Sequence, residues 1–309
     1  MMDEKGIDME SKTLQLKNRN RPDIVFNIFL YGIAILLLIV CFYPMYFVLI
    51  ASFSDPKAVA GGQVLFLPVN ISLEGYQVLL GYKQIWACYR NTIFYTLAGT
   101  LMVLLVNIPA GYALSRKELV GKGFIMTLFI IPMFFSGGLI PTYMLISSLR
   151  LVDTIWVMII PGAVITYYVI VSRTFFQNSV PEEIWEAAQL DGCSYKFYFI
   201  RVVLPLSKAI IAVITLWSAV GIWNSYFQAL IYIRNPDLQP LQILLRNILI
   251  TSKEMAKMTE GTGMAEEKLR MTELLKYCTI VVSSAPILCL YPFVQKYFNQ
   301  GVMIGSVKG

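Results

Sequence analysis

The most specific chemistry in this sequence lies between Asn178 and Lys208, NSVPEEIWEAAQLDGCSYKFYFIRVVLPLSK. Its residue types suit docking better than bond-making. Ser179 followed by Glu182 has capping-box spacing, in which two side chains satisfy orphan backbone amides at a helix start. Pro181 falls in the first turn, where its missing N–H costs little. Glu182 and Glu183 place negative charge where the helix dipole favours it. Gly192 supplies a left-handed residue to end the helix. Ala187 and Ala188 leave the middle thin, so another backbone can come close, and Ile184 and Trp185 offer apolar contact area. The run predicts a short, capped helix shaped for a groove on another protein. The competing reading is a plain connector at the membrane surface.

A second group is polar, aromatic and uncharged: Trp217, Ser218, Trp223, Asn224, Ser225, Tyr226 and Gln228. Aromatic faces pack on the apolar faces of sugar rings, while amides and hydroxyls meet their hydroxyls. Trp223, Asn224, Tyr226 and Gln228 are the candidates for a substrate pathway, and a neutral saccharide is the solute they suit. Trp and Tyr also form interfacial belts, and Asn or Gln can hold helices together, so a purely structural role competes.

Other chemistries find no residues. Histidine is absent, which removes the usual general base and the commonest metal ligand. The five cysteines form no CxxC pair and are odd in number, so a complete disulfide framework is excluded. No GxxxxGK[ST] run occurs, so ATP hydrolysis by this chain is not expected. No catalytic residue, metal or cofactor is assigned. The net charge of +6 comes without zinc-finger spacing or a basic helix with heptads, which argues against nucleic acid.

The elements that must carry these residues are set by charge spacing. Residues 24–54, 91–115, 123–149, 154–172, 209–233 and 277–295 contain no charged residue. Each of the six windows is 19 residues or longer, and about 20 residues in a helix cross the hydrocarbon core. Hydrophobic residues make up 57% of the chain and charged ones 14%, so lipid is the expected solvent. None of the windows alternates as a barrel strand would. An all-α polytopic membrane protein with six transmembrane helices follows, because only helices satisfy their own backbone in lipid. The first window is too long for a typical signal h-region and has no clean cleavage site.

Lys and Arg orient the chain. Residues 1–23 read as a loose arm, and its basic residues share one side with Arg116, Lys117, Lys122, Arg173, Lys196, Arg201, Lys208 and the tail 300–309. That side is expected to be cytoplasmic, with both termini on it. The opposite side carries residues 55–89 and the long segment 234–274. In that segment Pro240 to Ile250 shows helical apolar spacing, expected to lie on the membrane surface or to form an external docking face. The windows hold no Asp, Glu, Lys, Arg or His, which favours energy delivered from outside the membrane over ion coupling.

The Asn178–Lys208 run resembles the EAA loop of ABC importer permeases. Glu186-Ala187-Ala188, three residues, Gly192, nine residues, then Val202-x-Leu204-Pro205 match that pattern, with Val202 replacing isoleucine. Asp191 beside Gly192 fits the carbohydrate branch, with Cys193 in place of its alanine. Further runs agree along nearly the whole chain: Tyr43-Pro44 with Ala51-Ser52-Phe53-Ser54, Pro109 to Arg116, Phe134 to Tyr143, and the tail from Gly301. The chain is similar to MalG-like carbohydrate-uptake permeases, and the resemblance implies a type I importer (MetI-like) fold over residues 24–299. It implies that Glu186, Ala187, Ala188, Asp191 and Gly192 dock on a cytoplasmic ATPase, with Leu204 and Pro205 setting the turn into the fifth span. It further implies a second homologous permease, an ABC ATPase dimer that uses the ATP, and an extracytoplasmic solute-binding protein, in a bacterial cytoplasmic membrane. The same architecture carrying a non-sugar solute, or an ion-coupled secondary transporter, are the rival functions.

Overall fold

The computed structural model of the protein describes residues 21–258 and 263–301. The described residues are helical with no strand, and the chain divides into two units, residues 1–72 and 73–309. The arm before residue 21 and the last eight residues of the tail lie outside the described residues.

In the first unit, helix α1 (Arg21–Ser52) takes up most of the first charge-free window. Its apolar side chains, such as Ile28, Leu36 and Val40, are exposed around the helix, as expected of a helix that is apolar all round and solvated by lipid or protein. Beyond it the chain folds back. Tyr43 and Tyr46 donate their hydroxyls to the carbonyls of Leu65 and Phe66. Helix α2 (Pro56–Ala60) is capped by Asp55, whose carboxylate accepts from the Lys57 amide at 2.7 Å. Ile50, Ala58 and Val64 close a small core there.

The second unit is arranged around one long helix. After α3 (Glu74–Gly81) comes α4 (Lys83–Ser115), which holds the second window whole. There follow α5 (Lys122–Phe134), α6 (Leu139–Ser148), α7 (Thr166–Ser179) and α8 (Glu182–Leu190). The remaining helices are α9 (Tyr195–Leu206), α10 (Lys208–Trp223), α11 (Phe227–Tyr232), α12 (Leu241–Met258) and α13 (Gly263–Gly301). Helix α4 packs along α7 and α10, and α13 packs along α10 and α12.

Windows three to five are not single helices, contrary to the sequence expectation. Window three breaks between α5 and α6 with a bend of 118°. Its Ser136-Gly137-Gly138 run is the cause: Gly138 has φ 83, a left-handed conformation that costs glycine nothing. Window four opens with a 3-10 turn, Ile155–Met158, and runs irregularly through Pro161 and Gly162 before α7 begins. Window five ends α10 at Trp223 and restarts as α11. Among the described residues three helical stretches are long and apolar enough to cross a membrane: Phe26–Ser52, Lys83–Ser115 and Arg270–Cys289. Counting each bent pair as one span raises the number to five.

Broken backbone in apolar surroundings needs partners. Asn107, fully buried on α4, supplies them for window four: its side-chain amide donates to the Val103 and Ala163 carbonyls, each at 2.7 Å, and its oxygen accepts from the Ile165 amide at 2.9 Å. One turn further on, Gly111 lets α7 come so close that a Cβ there would stand 2.4 Å from that of Ser172. On α13, Pro286 has no amide for the Val282 carbonyl, and the Tyr89 hydroxyl donates to it instead.

Helix α12 also departs from expectation. Leu241, Ile243 and Leu244 are buried and the helix packs on α13 and α4, so the apolar stripe in its first turns faces inward rather than onto a membrane surface. Nearby, Asp153 holds a turn together. Its φ is 59, its amide donates to Tyr232 at 2.8 Å, and its carboxylate accepts from the amides of Arg234 and Asn235 at 2.9 and 2.8 Å. Those amide bonds hold the Asp153 carboxyl below the usual aspartate range. Two cores result. One, around Tyr112, Phe176, Trp185 and Tyr198, lies at the Arg116 end of α4; the other, around Tyr95, Val157 and Tyr232, lies at the opposite end.

Candidate functional site

The Asn178–Lys208 run lies between the end of α7 and the start of α10. Helix α8 forms as the sequence predicts, but its start differs. Pro181 is the N-cap and no side chain caps the helix. The capping box of Ser179 and Glu182 is absent: Glu182 is the first helical residue, so Ser179 sits too far back to reach the orphan amides. The Ser179 hydroxyl is buried without a partner, and the Glu182 carboxylate pairs with Lys117 instead.

The end of α8 conforms fully. Gly192 has φ 73, its amide donates to Gln189 at 3.0 Å, and the Cys193 amide donates to Ala188 at 2.9 Å. This pair of bonds is a Schellman ending, which requires the left-handed residue. No atom lies within 4 Å of where a Gly192 Cβ would stand, so only backbone conformation dictates glycine here. Asp191 occupies the C-cap.

Helix α8 has two faces of different character. Glu183, Ile184, Glu186, Ala187, Gln189 and Leu190 are exposed, and Leu190 is 91% exposed. Trp185 does not join them, contrary to the expectation that it offers apolar contact area. It is 2% exposed and turned inward, its ring 4.3 Å from that of Tyr195 and 4.9 Å from that of Tyr198. The helix therefore offers a thin outer face with one apolar tip and anchors itself through Trp185. Beside its C-terminus a concavity of about 530 Å³ is lined by Ala188, Asp191, Gly192, Cys193, Phe197 and Val202.

Helix α9 is capped by Ser194, whose hydroxyl accepts from the Phe197 amide, and winds as a π-turn over Phe199–Val203 before Leu204 and Pro205. Proline removes an amide and crowds the carbonyl four residues back, which favours the wider turn. The change of direction comes just after Pro205: α9 and α10 meet at 78°, at the buried Ser207, whose hydroxyl donates to Val203 at 2.7 Å.

The polar candidates of window five separate into two kinds. Trp223 is 4% exposed and its indole donates to the Ser283 carbonyl at 3.0 Å, so it belongs to the packing of α10 on α13. Gln228 donates to the Val157 carbonyl. Asn224 and Tyr226 are exposed in the gap between α10 and α11. Sequence reasoning missed Tyr167 and Tyr168, which meet Trp217 with ring centroids 5.6 and 5.8 Å apart. Adjacent aromatics beside the Pro161-Gly162 break were the available signal.

Comparison with known proteins bears on this geometry. Residues 108–304, which include the whole Asn178–Lys208 run, match the family described as "Binding-protein-dependent transport system inner membrane component". The polygalacturonan/rhamnogalacturonan transport system permease protein YtcP of Bacillus subtilis is 35% identical over 95% of this chain and 100% of its own length. Protein LplC of the same organism is 36% identical over 93% of this chain and 95% of its own. The crystal structure of a bacterial ABC transporter involved in the import of the acidic polysaccharide alginate contains a chain 30% identical, with a TM-score of 0.82, covering 90% of this chain and 98% of that one. This chain belongs to the binding-protein-dependent inner membrane components, as a multi-pass, non-catalytic permease of the MalG-like, carbohydrate-type ABC importers.

Proposed function

We propose that this chain is one half of the pore of an ATP-driven saccharide importer, with α8 as the element that docks on a cytoplasmic ATPase. The observation that carries the reading is the build of α8: a Schellman-ended helix at EAA spacing, anchored inward by Trp185, with Glu186 and Ala187 facing out. The reading includes six crossings, both termini cytoplasmic, a second homologous permease, two ATPase copies and an extracytoplasmic solute-binding protein. Window four counts as a crossing because Asn107 satisfies its break, as irregular backbone at membrane depth requires, and window three because its two bent halves together are long and apolar enough.

The solute is an oligosaccharide. Uncharged windows and the exposed Asn224 and Tyr226, with the Tyr167–Tyr168–Trp217 aromatic group, suit neutral sugar rings. The similarity to a component of an alginate importer favours a second reading, an acidic oligosaccharide. The test is reconstitution of the complete complex in proteoliposomes with its binding protein, followed by uptake of labelled neutral and uronate oligosaccharides. ATP-dependent uptake of the neutral set supports the first reading and of the uronate set the second. Substrate-stimulated ATPase activity from this chain purified alone would refute the half-pore assignment.

A further inference from the structure

Arg116 ends α4, four residues beyond Tyr112, and its side chain is only 13% exposed. Its guanidinium carbon lies 5.5 Å from the Trp185 ring centroid and 6.0 Å from that of Tyr112. Glu118 fixes it at 2.8 Å. Next to it Lys117 pairs with Glu182, the first residue of α8. Trp185 is closed in on its other sides by Tyr195 and Tyr198, and Tyr112 continues the aromatic group to Phe176 and Phe199 at 5.5 and 5.0 Å.

Basic flanks of a span are ordinarily explained by topology, which asks only for charge near the surface. Lys117 fits that account, being 77% exposed. Arg116 does not need to be inside a cage of rings to satisfy it. A planar, weakly hydrated guanidinium stacks on aromatic faces in a way an ammonium does not. We propose that Arg116 is a positioning residue, clamping the docking helix α8 to the long helix α4 through Trp185 and Tyr112. This rests on the reading of α8 as the ATPase-docking element.

The mechanical reason is connectivity. Helix α8 joins its neighbours by two short links, Val180-Pro181 and Asp191 to Ser194. A helix held only by such links swivels when pushed, and the push is lost. Clamped at Trp185, a displacement of α8 carries α4 with it. The Lys117–Glu182 pair lies outside, where water and salt screen it, so it contributes little to this grip.

The test uses the full complex in proteoliposomes with its binding protein. Arg116→Gln removes the cation, Arg116→Lys keeps charge without the plane, and Trp185→Phe keeps a ring of weaker attraction. Each is scored by co-purified ATPase, ATP hydrolysis and sugar taken up per ATP. A separate Ala187→Cys variant is tested for cross-linking to the ATPase. Arg116→Gln is expected to lower uptake per ATP by about five-fold in complexes of normal composition, with Arg116→Lys close behind it. The Arg116→Gln/Trp185→Phe double variant is expected to be no worse than Arg116→Gln alone, as for two residues of one contact. Uptake per ATP within about two-fold of the parent for Arg116→Gln, or additive losses in the double variant, overturns the clamp. Should Arg116→Gln not assemble, Arg116→Lys decides, and normal coupling there overturns it. Failure of the Ala187→Cys cross-link in an active complex instead removes the docking assignment, and the clamp with it.

Discussion

Gly192 shows how a single residue type can be dictated by backbone alone. The space around it is empty and its φ is 73, so Gly192→Val meets no clash but must leave the left-handed region, at a cost of about 1–2 kcal/mol. Gly192→Val is expected to unwind the end of α8 and abolish most sugar uptake in an otherwise assembled complex. Gly192→Asn, which tolerates that conformation, is expected to retain most of it. Uptake assays on the two variants separate backbone geometry from loss of a glycine as such. Asp153 gives a prediction with the opposite chemistry. Its folded carboxyl titrates below the ordinary aspartate value because the Asn235 and Arg234 amides donate to the ionised form. Its contribution is therefore complete above the ordinary aspartate pKa and is lost as pH falls through the lowered folded value. Hydrogen-exchange protection of the 234–235 amides is expected to be flat from about pH 8 to about pH 5 and to weaken only in stronger acid. Asp153→Ala is expected to remove that protection throughout. At this scale the sequence was readable where one residue has one job, as at Gly192. It misled where a residue's neighbours are remote in sequence: Trp185 looked like an outward contact because nothing local announces Arg116, Tyr195 and Tyr198 around it.

Helices were legible by their length and, in α8, by the Gly192 ending, whereas the expected capping box and the interruptions of the helices were misread. The 33 residues of α4 follow from a charge-free window with a charged turn at one end. The break in window four was hidden because Pro161 and Gly162 are tolerated in many membrane helices, and the residue that makes the break affordable, Asn107, sits on a different element. Asn107→Leu leaves the Ala163 carbonyl and the Ile165 amide buried without partners, at about 1–3 kcal/mol each. A lower unfolding temperature of the detergent-solubilised complex is expected. Asn107→Asp, which still accepts from Ile165 but does not donate to Ala163, is expected to fall between. Thermal unfolding followed by tryptophan emission checks the order. The turn into α10 was placed at Leu204 and Pro205 by resemblance, and the bend comes immediately after them, at Ser207. The amphipathic α12 shows the remaining ambiguity: helical apolar spacing announces a buried stripe without saying whether lipid or protein buries it.

Across the whole molecule, composition pointed to lipid and charge spacing to six candidate crossings, whereas three described helical stretches, or five counting each bent pair as one, are long and apolar enough to cross, and the packing of the segments needed the structure. The uneven distribution of Lys and Arg makes a topological prediction. In an otherwise cysteine-free chain, a cysteine at Ser72 is expected to react with a membrane-impermeant thiol reagent applied outside intact cells, and one at Ser194 only after permeabilisation. Reaction at Ser194 in intact cells would reverse the topology. The tight seam between α4 and α7 has a mechanical consequence. With Gly111 against Ser172, and Asn107 bridging to the start of α7, the two helices have no slack along their shared length. Over the roughly 21 Å of α7 they move as one body, with α4 as a spar about 50 Å long. Pivoting such a spar by about 10° about its midpoint would sweep each tip by about 4 Å. Amplitude is then set by where the fulcrum lies, and a methyl group at residue 111 would act on stroke length before it acted on solute recognition.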